Sequence, residues 1–262
     1  MHDKESEHPE ALQVLGLRIH RAGVEEVHSF IRRTLREGKK ALVLNLNIHA
    51  VHLALKNPWL KEFINQAPLV FCDGDGVRWG LRILGQEPPV KITYDRWVWQ
   101  LAELCSQEGY RLFFLGSKPG VAGEAARRLQ SRFPALQIAG THHGYFEKNG
   151  RANDEVVEEI NRARADILIA GFGMPLQEKW LSENWGKIRA SVFLNGGAVF
   201  DYASGRLKRA PAWAIRCHLE WLYRLCSEPR RLWKRYCAEI PYFFFCIFRE
   251  KWRAVIKKKE PW

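Results

Sequence analysis

Six short apolar runs, each leaving through glycine, asparagine, aspartate or proline into a stretch with helical spacing, restrict this chain more than any other feature. The runs are Ala41–Leu46, Pro68–Cys72, Arg111–Leu115, Leu136–Ala139, Ala165–Ala170 and Ser191–Leu194. Continuous apolar runs of this length read as strands buried on both faces, and helices between them are the crossovers that parallel strands need. A further strand near Leu12–Ile19 and a helix over Val24–Glu37, stopped at Gly38, open the series. The expected class is α/β, with a mostly parallel sheet covered on both faces. At 262 residues the chain can bury one large core.

The chemistry should sit where such strands end, because ligand crevices of parallel sheets lie at the strand carboxyl ends. Phe71-Cys72-Asp73-Gly74-Asp75-Gly76 delivers two carboxylates there, and Asn45-Leu46-Asn47 delivers two amides. Asp73 is either a helix cap or a working carboxylate, and the asparagines either cap a helix or bond a ligand. Asp73-Gly74-Asp75 also reads as a DxD motif that would hold Mn²⁺ or Mg²⁺ against a nucleotide diphosphate. Gly116 and the Gly171-Phe172-Gly173 turn suggest backbone N–H groups open to phosphate. They do not complete a dinucleotide fingerprint, because Met174-Pro175 follows where the third glycine is needed.

Charge divides the chain. Lys and Arg number 41 against 29 Asp and Glu, a net +12, and ten of those charges lie beyond residue 205. A basic tail on a nearly neutral body is expected to meet a polyanion, either nucleic acid or an anionic membrane, and a non-catalytic polyanion-binding protein is one alternative reading. Its tryptophans and phenylalanines, interleaved with bases, suit a helix lying in a membrane interface. Its longest apolar run, Ile240–Phe248, contains a proline and falls short of the ~20 residues that span a bilayer. The distal part, from Arg230 to Lys259, is expected to bring the protein to lipid and to be separable from the body. The division expected is 1–10 disordered, 11–205 catalytic and 206–262 a helical appendage. The start shows no signal-peptide pattern. The six cysteines form no CxxC pair and read as reduced, mostly buried thiols of a cytoplasmic protein.

Taken as an ordered set, the motifs resemble the WecG/TagA/CpsF family of bacterial glycosyltransferases, glycosyltransferase family 26. The elements are Asn45-x-Asn47, Asp73-Gly74-x-Gly76, Phe114-Leu115-Gly116 and Gly171-x-Gly173-x-Pro175-x-Gln177-Glu178. Gly196-Gly197-x-x-Phe200-Asp201, Arg209-Ala210-Pro211 and Glu220-Trp221-x-x-Arg224 with Pro229 and Arg231 complete it. The resemblance implies a Rossmann-like domain with a C-terminal appendage, peripherally attached to the inner face of the cell membrane. It implies a metal-independent, inverting transfer from a UDP-sugar to a polyprenyl-diphosphate-linked saccharide in cell-surface polysaccharide synthesis, with no nucleic acid as partner. The sugar could be of N-acetylmannosamine type, glucosyl or a uronic acid. By position, Asp73 matches a general base, Gln177 a donor-contacting glutamine, and Asn45 and Asn47 an active-site loop; Gly116, Gly171, Gly173 and Lys91 are further candidates for donor or substrate contact. Arg209, Arg224 and Arg231 match groups facing diphosphates. Asn45, Asp75 and the Lys91–Asp95 segment depart from the usual family pattern, and self-association into homo-oligomers stays open.

Overall fold

The computed structural model describes residues 9–217 and 220–257. The expected first strand is a hairpin, β1 (Ala11–Val14) and β2 (Leu17–His20), paired antiparallel as a separate two-stranded sheet. Leu15 and Gly16 both take positive φ, which folds the run back on itself. Helix α1 (Val24–Arg36) follows as expected. The main sheet holds β3 (Ala41–Leu46), β4 (Leu69–Cys72), β5 (Arg111–Gly116), β6 (Gln137–His142), β7 (Ile167–Gly171) and β8 (Val192–Asn195). Its order is β4-β3-β8-β7-β5-β6, and every pairing is parallel.

Side chains alternate across these strands and divide the core in two. On one face Leu42, Leu44, Val70, Leu168 and Phe193 pack against α2 (Ile48–Lys56), α3 (Pro58–Gln66), α4 (Asp75–Ile83), α7 (Gly150–Ala163) and α8 (Leu176–Asn184). On the other, Val43, Phe71, Phe114, Ile169 and Leu194 pack against α1, α5 (Tyr94–Glu108), α6 (Val121–Arg132) and α9 (Val199–Ala203). The parity matters for function. Asn45 and Asp73 continue the α5-facing series of Val43 and Phe71, one step beyond the apolar core.

Beyond α9 the chain forms α10 (Ala212–Arg216), α11 (Glu220–Ser227), α12 (Pro229–Lys234), a π-helical turn over Arg235–Glu239, and α13 (Ile240–Lys257). The distal tail is not a loose appendage. Phe243, Cys246 and Ile247 of α13 are buried in the core, and the Phe243 ring sits where a Cβ on Gly80 of α4 would be. Removing the chain after Arg231 would therefore open the core, so the expected separation of tail from body does not hold. Of the Phe243–Phe245 run only Phe245 is largely exposed. Three cysteines are buried and three, Cys217, Cys226 and Cys237, are exposed; all six are free thiols. No helix among the described residues is long and apolar enough to cross a membrane.

Candidate active site

The carboxyl ends of β3, β4 and β8 converge on Asp73. Asn45 Nδ2 donates to Asp73 Oδ2 at 2.9 Å and Asn47 Nδ2 donates to the same oxygen at 3.3 Å. Asn47 also caps α2, its Oδ1 accepting from the Ala50 N–H at 3.0 Å. The cap and the ligand-side amide are thus one residue doing both. Asp73 is not the N-cap of α4: Gly74, at φ 103°, occupies that position without a side-chain bond. Asn45 is held from behind, its backbone N–H donating to Asn195 Oδ1 at 2.9 Å.

Below this lies a buried network that sequence reasoning did not foresee. Glu178 Oε1 accepts from Asn195 Nδ2 and from Gln177 Nε2, both at 2.8 Å. Burial pushes the Glu178 carboxyl above the ordinary range, against the pull of those two amides. Gln177 is fully buried, and its Oε1 accepts from the N–H groups of Gly173 and Gly197 at 3.1 and 2.9 Å. The residue is brought beneath the site floor, tying two loops together. At Gly173 the expectation of an open backbone N–H fails, because Gln177 Oε1 accepts it.

Two cavities meet at Asp73. The first, of about 360 Å³, is lined by Asn45, Asp73, Tyr94, Asp95, Gly173, Gly196, Gly197 and Tyr202. The second, of about 510 Å³, is lined by Trp79, Trp221, Tyr236, Ile240 and Phe244 together with Asp75 and Lys91. Asn47, His49, Asp73, Thr93 and Arg235 belong to both and form the partition between them. The π-helical turn supplies the lid of the first: Arg235 Nη2 donates to Asn47 Oδ1 at 3.4 Å, and Glu239 Oε2 lies 2.8 Å from His49 Nδ1.

The other expected residues are placed as follows. Lys91 reaches the second cavity and pairs with Asp75 Oδ2 at 2.7 Å, while Arg78 pairs with Asp75 Oδ1 at 3.1 Å. Burial alone would raise the Asp75 carboxyl; the hydrogen bonds and charges of Lys91 and Arg78 outweigh it and hold it below the ordinary range. A carboxylate spanned by two cations is poorly disposed to a divalent ion, and the described residues hold no cluster of three or more His, Cys, Asp or Glu that could take one. Gly116 and Gly171 face each other in register, so closely that a Cβ on Gly116 would overlap the Gly171 carbonyl. They pack strand ends together and do not line either cavity. Arg209 pairs with Asp95 at 2.7 Å on the outer side of the first cavity. Arg224 and Arg231 lie in α11 and α12, and their side chains fall outside the described residues. Arg235, one helical turn beyond Arg231, is the guanidinium found at the partition, and the i, i+4 spacing was the signal available for it.

Compared with known proteins, residues 12–257 match the model of the glycosyl transferase WecG/TagA/CpsF family. A Bacillus spizizenii protein named N-acetylglucosaminyldiphosphoundecaprenol N-acetyl-beta-D-mannosaminyltransferase is 31% identical over 83% of this chain and 82% of its own length. Proteins of the same name from Bacillus subtilis and Staphylococcus aureus are 29% and 26% identical. The first of these aligns over 80% of each chain, the second over 90% of this chain and 89% of its own.

Proposed function

Because this chain belongs to the WecG/TagA/CpsF family and is a glycosyltransferase, we propose that it moves a sugar from a UDP-sugar onto a saccharide carried by a polyprenyl diphosphate. The names of the relatives point to an N-acetylmannosamine-type sugar and an N-acetylglucosaminyl diphosphate acceptor. The observation that carries the reading is the position of Asp73 in the partition between a polar and an apolar cavity. The UDP-sugar occupies the polar cavity beneath the glycine loops. The acceptor enters through the apolar one, where Trp79, Trp221 and Phe244 suit a lipid chain.

Asp73 takes the proton of the acceptor hydroxyl as its oxygen bonds to the anomeric carbon. The bond from that carbon to the diphosphate oxygen breaks on the opposite side, the electron pair leaves with UDP, and the configuration inverts. Asn45 and Asn47 hold the base by donating to its Oδ2. Arg235 meets the growing charge on the leaving diphosphate. The reaction runs without a metal, in keeping with Asp75 being neutralised by Lys91 and Arg78.

The exposed face of α13 carries Phe245, Phe248, Trp252 and Ile256 at helical spacing, beside Arg249 and Arg253. It attaches the enzyme peripherally to the cytoplasmic membrane face, near the lipid-borne acceptor. The test is a panel of UDP-sugars with a polyprenyl-diphosphate N-acetylglucosamine acceptor, assayed for UDP release with and without excess EDTA. UDP release that requires the lipid-linked acceptor and survives EDTA is expected. Release that stops with EDTA would restore the metal reading, and no release with any donor would remove the assignment.

A further inference from the structure

Two buried residues that line the first cavity each keep a buried polar atom without a protein partner. The atoms are Asn45 Oδ1 and the hydroxyl of Tyr94. Asn45 is 4% and Tyr94 7% exposed, so neither atom is left to bulk water. An unpaired buried polar atom is costly, and two in residues lining one cavity call for a reason beyond folding. Both residues line the polar cavity and neither lines the apolar one.

Their placement is set by the fold. Asn45 ends the α5-facing series of β3, and Tyr94 opens α5 on that same face, its ring packed on Phe71 and Trp97. The segment before it is pinned by the Ile92 N–H donating to the Cys72 carbonyl at 2.9 Å, directly before Asp73. The hydroxyl stays protonated: burial pushes it far up, and the charges of Asp73 and Glu178 add to that. Tyr94 can therefore donate. Asn45 has committed its Nδ2 to Asp73, so its free atom is an acceptor.

We propose that Asn45 Oδ1 and Tyr94 Oη form the subsite that reads the C2 substituent of the donor sugar, accepting one hydrogen bond from it and donating another to it. The position follows from chemistry. The hydroxyl that Asp73 deprotonates attacks the anomeric carbon, C2 is bonded to that carbon, and the Asn45 amide touches Asp73. A substituent offering a donor beside an acceptor fits: a 2-acetamido group through its N–H and C=O, or a 2-hydroxyl using both its hydrogen and its oxygen. The inference rests on the transferase reading and adds to it the residues that choose the sugar.

The experiment compares the full-length wild type with Tyr94→Phe, which removes one oxygen and keeps the ring. Donors are UDP-N-acetylhexosamines of the manno, gluco and galacto series, UDP-glucose and UDP-2-deoxyglucose, with kcat and KM measured for each and Asp73→Asn as the inactive control. Wild type should use its best C2-substituted donor roughly ten- to a hundredfold better in kcat/KM than UDP-2-deoxyglucose. Tyr94→Phe should collapse most of that ratio while changing UDP-2-deoxyglucose turnover less than about threefold. Whether the acetamido or the hydroxyl series shows the larger ratio identifies which group is read. The melting temperature should stay the same or rise, since no protein partner is lost; a purely structural hydroxyl would lower it. An unchanged ratio in Tyr94→Phe, with Asp73→Asn inactive, overturns the subsite and leaves the transferase reading standing. No turnover of any donor by wild type overturns both.

Discussion

The two cavities that share Asp73 are made of different material. The polar one is walled by strand ends and loops whose backbone is held by the parallel sheet, with Gln177, Glu178 and Asn195 bonded beneath. Its geometry is stiff because each amide has one way to satisfy its neighbours. The apolar one is walled by side chains of α4 and of the C-terminal helices, several of them half exposed, Trp79 at 41% and Trp221 at 43%. A stiff wall suits the bond-making centre, where small displacements are costly, and a wall of exposed aromatics suits a long, apolar and variable ligand. The π-helical turn joins the two, since Arg235 lines both cavities and Glu239 reaches His49.

The contrast can be broken most severely at the shared wall. Asp73→Asn keeps the shape and removes the base, so kcat should fall by ~10² to 10⁴ with either cavity's ligand still bound; steady-state UDP release with equilibrium donor binding checks it. Arg235→Ala should come next, lowering kcat by roughly ten- to a hundredfold through loss of a charge-assisted contact to the diphosphate. A change in KM for the UDP-sugar alone would show that Arg235 binds without serving the transition state. Trp79→Ala sharpens the comparison, because it touches the apolar cavity only. KM for a polyprenyl acceptor should rise roughly three- to tenfold from lost aromatic burial, with KM for the UDP-sugar unchanged and little effect on a short-chain acceptor. If the donor KM moves as much as the acceptor KM, the division of the cavities is wrong.

The smallest effect on activity is at His28, which bonds Trp97 of α5. His28 is buried and accepts the Trp97 indole N–H at 3.0 Å, and burial lowers it from 6.5 to about 4. The native form is thus neutral where the unfolded chain would begin to take a proton. Stability from this group is fully present above pH 6.5 and is lost as pH falls from 6.5 toward 4, by a total on the order of 3 kcal/mol. His28→Gln should flatten the fall in melting temperature over that range and leave turnover at neutral pH unchanged. An identical acid profile in the variant would place the sensitivity elsewhere.

Much of the frame could be read from local pattern. β3 spans Ala41–Leu46 as its apolar run indicated, α1 stops one residue short of the helix expected, and the all-parallel sheet follows from the alternation. The first strand was misjudged because an apolar run carries no mark of where it reverses; the positive φ at Leu15 and Gly16 decides that. The burial of Phe243 was not legible because aromatic and basic composition is the same whether a ring faces lipid or core. Phe243 and Phe245 are two residues apart, and the first is 1% exposed, the second 61%.

By itself the sequence determined that Asn45, Asn47 and Asp73 stand at strand ends, because strand, turn and helix are each encoded over a few adjacent residues. Only the tertiary structure decided who meets whom. Asn45 and Asp73 are 28 residues apart, Asn45 and Asn195 are 150, and the tail's Arg235 reaches Asn47 across 188. It turned Gln177 under the floor, gave Asp75 to Lys91 and Arg78, and set Tyr94 beside Asp73. Which partner a polar side chain bonds depends on the packing of elements far apart in the chain, and on the burial that makes an unbonded polar atom costly.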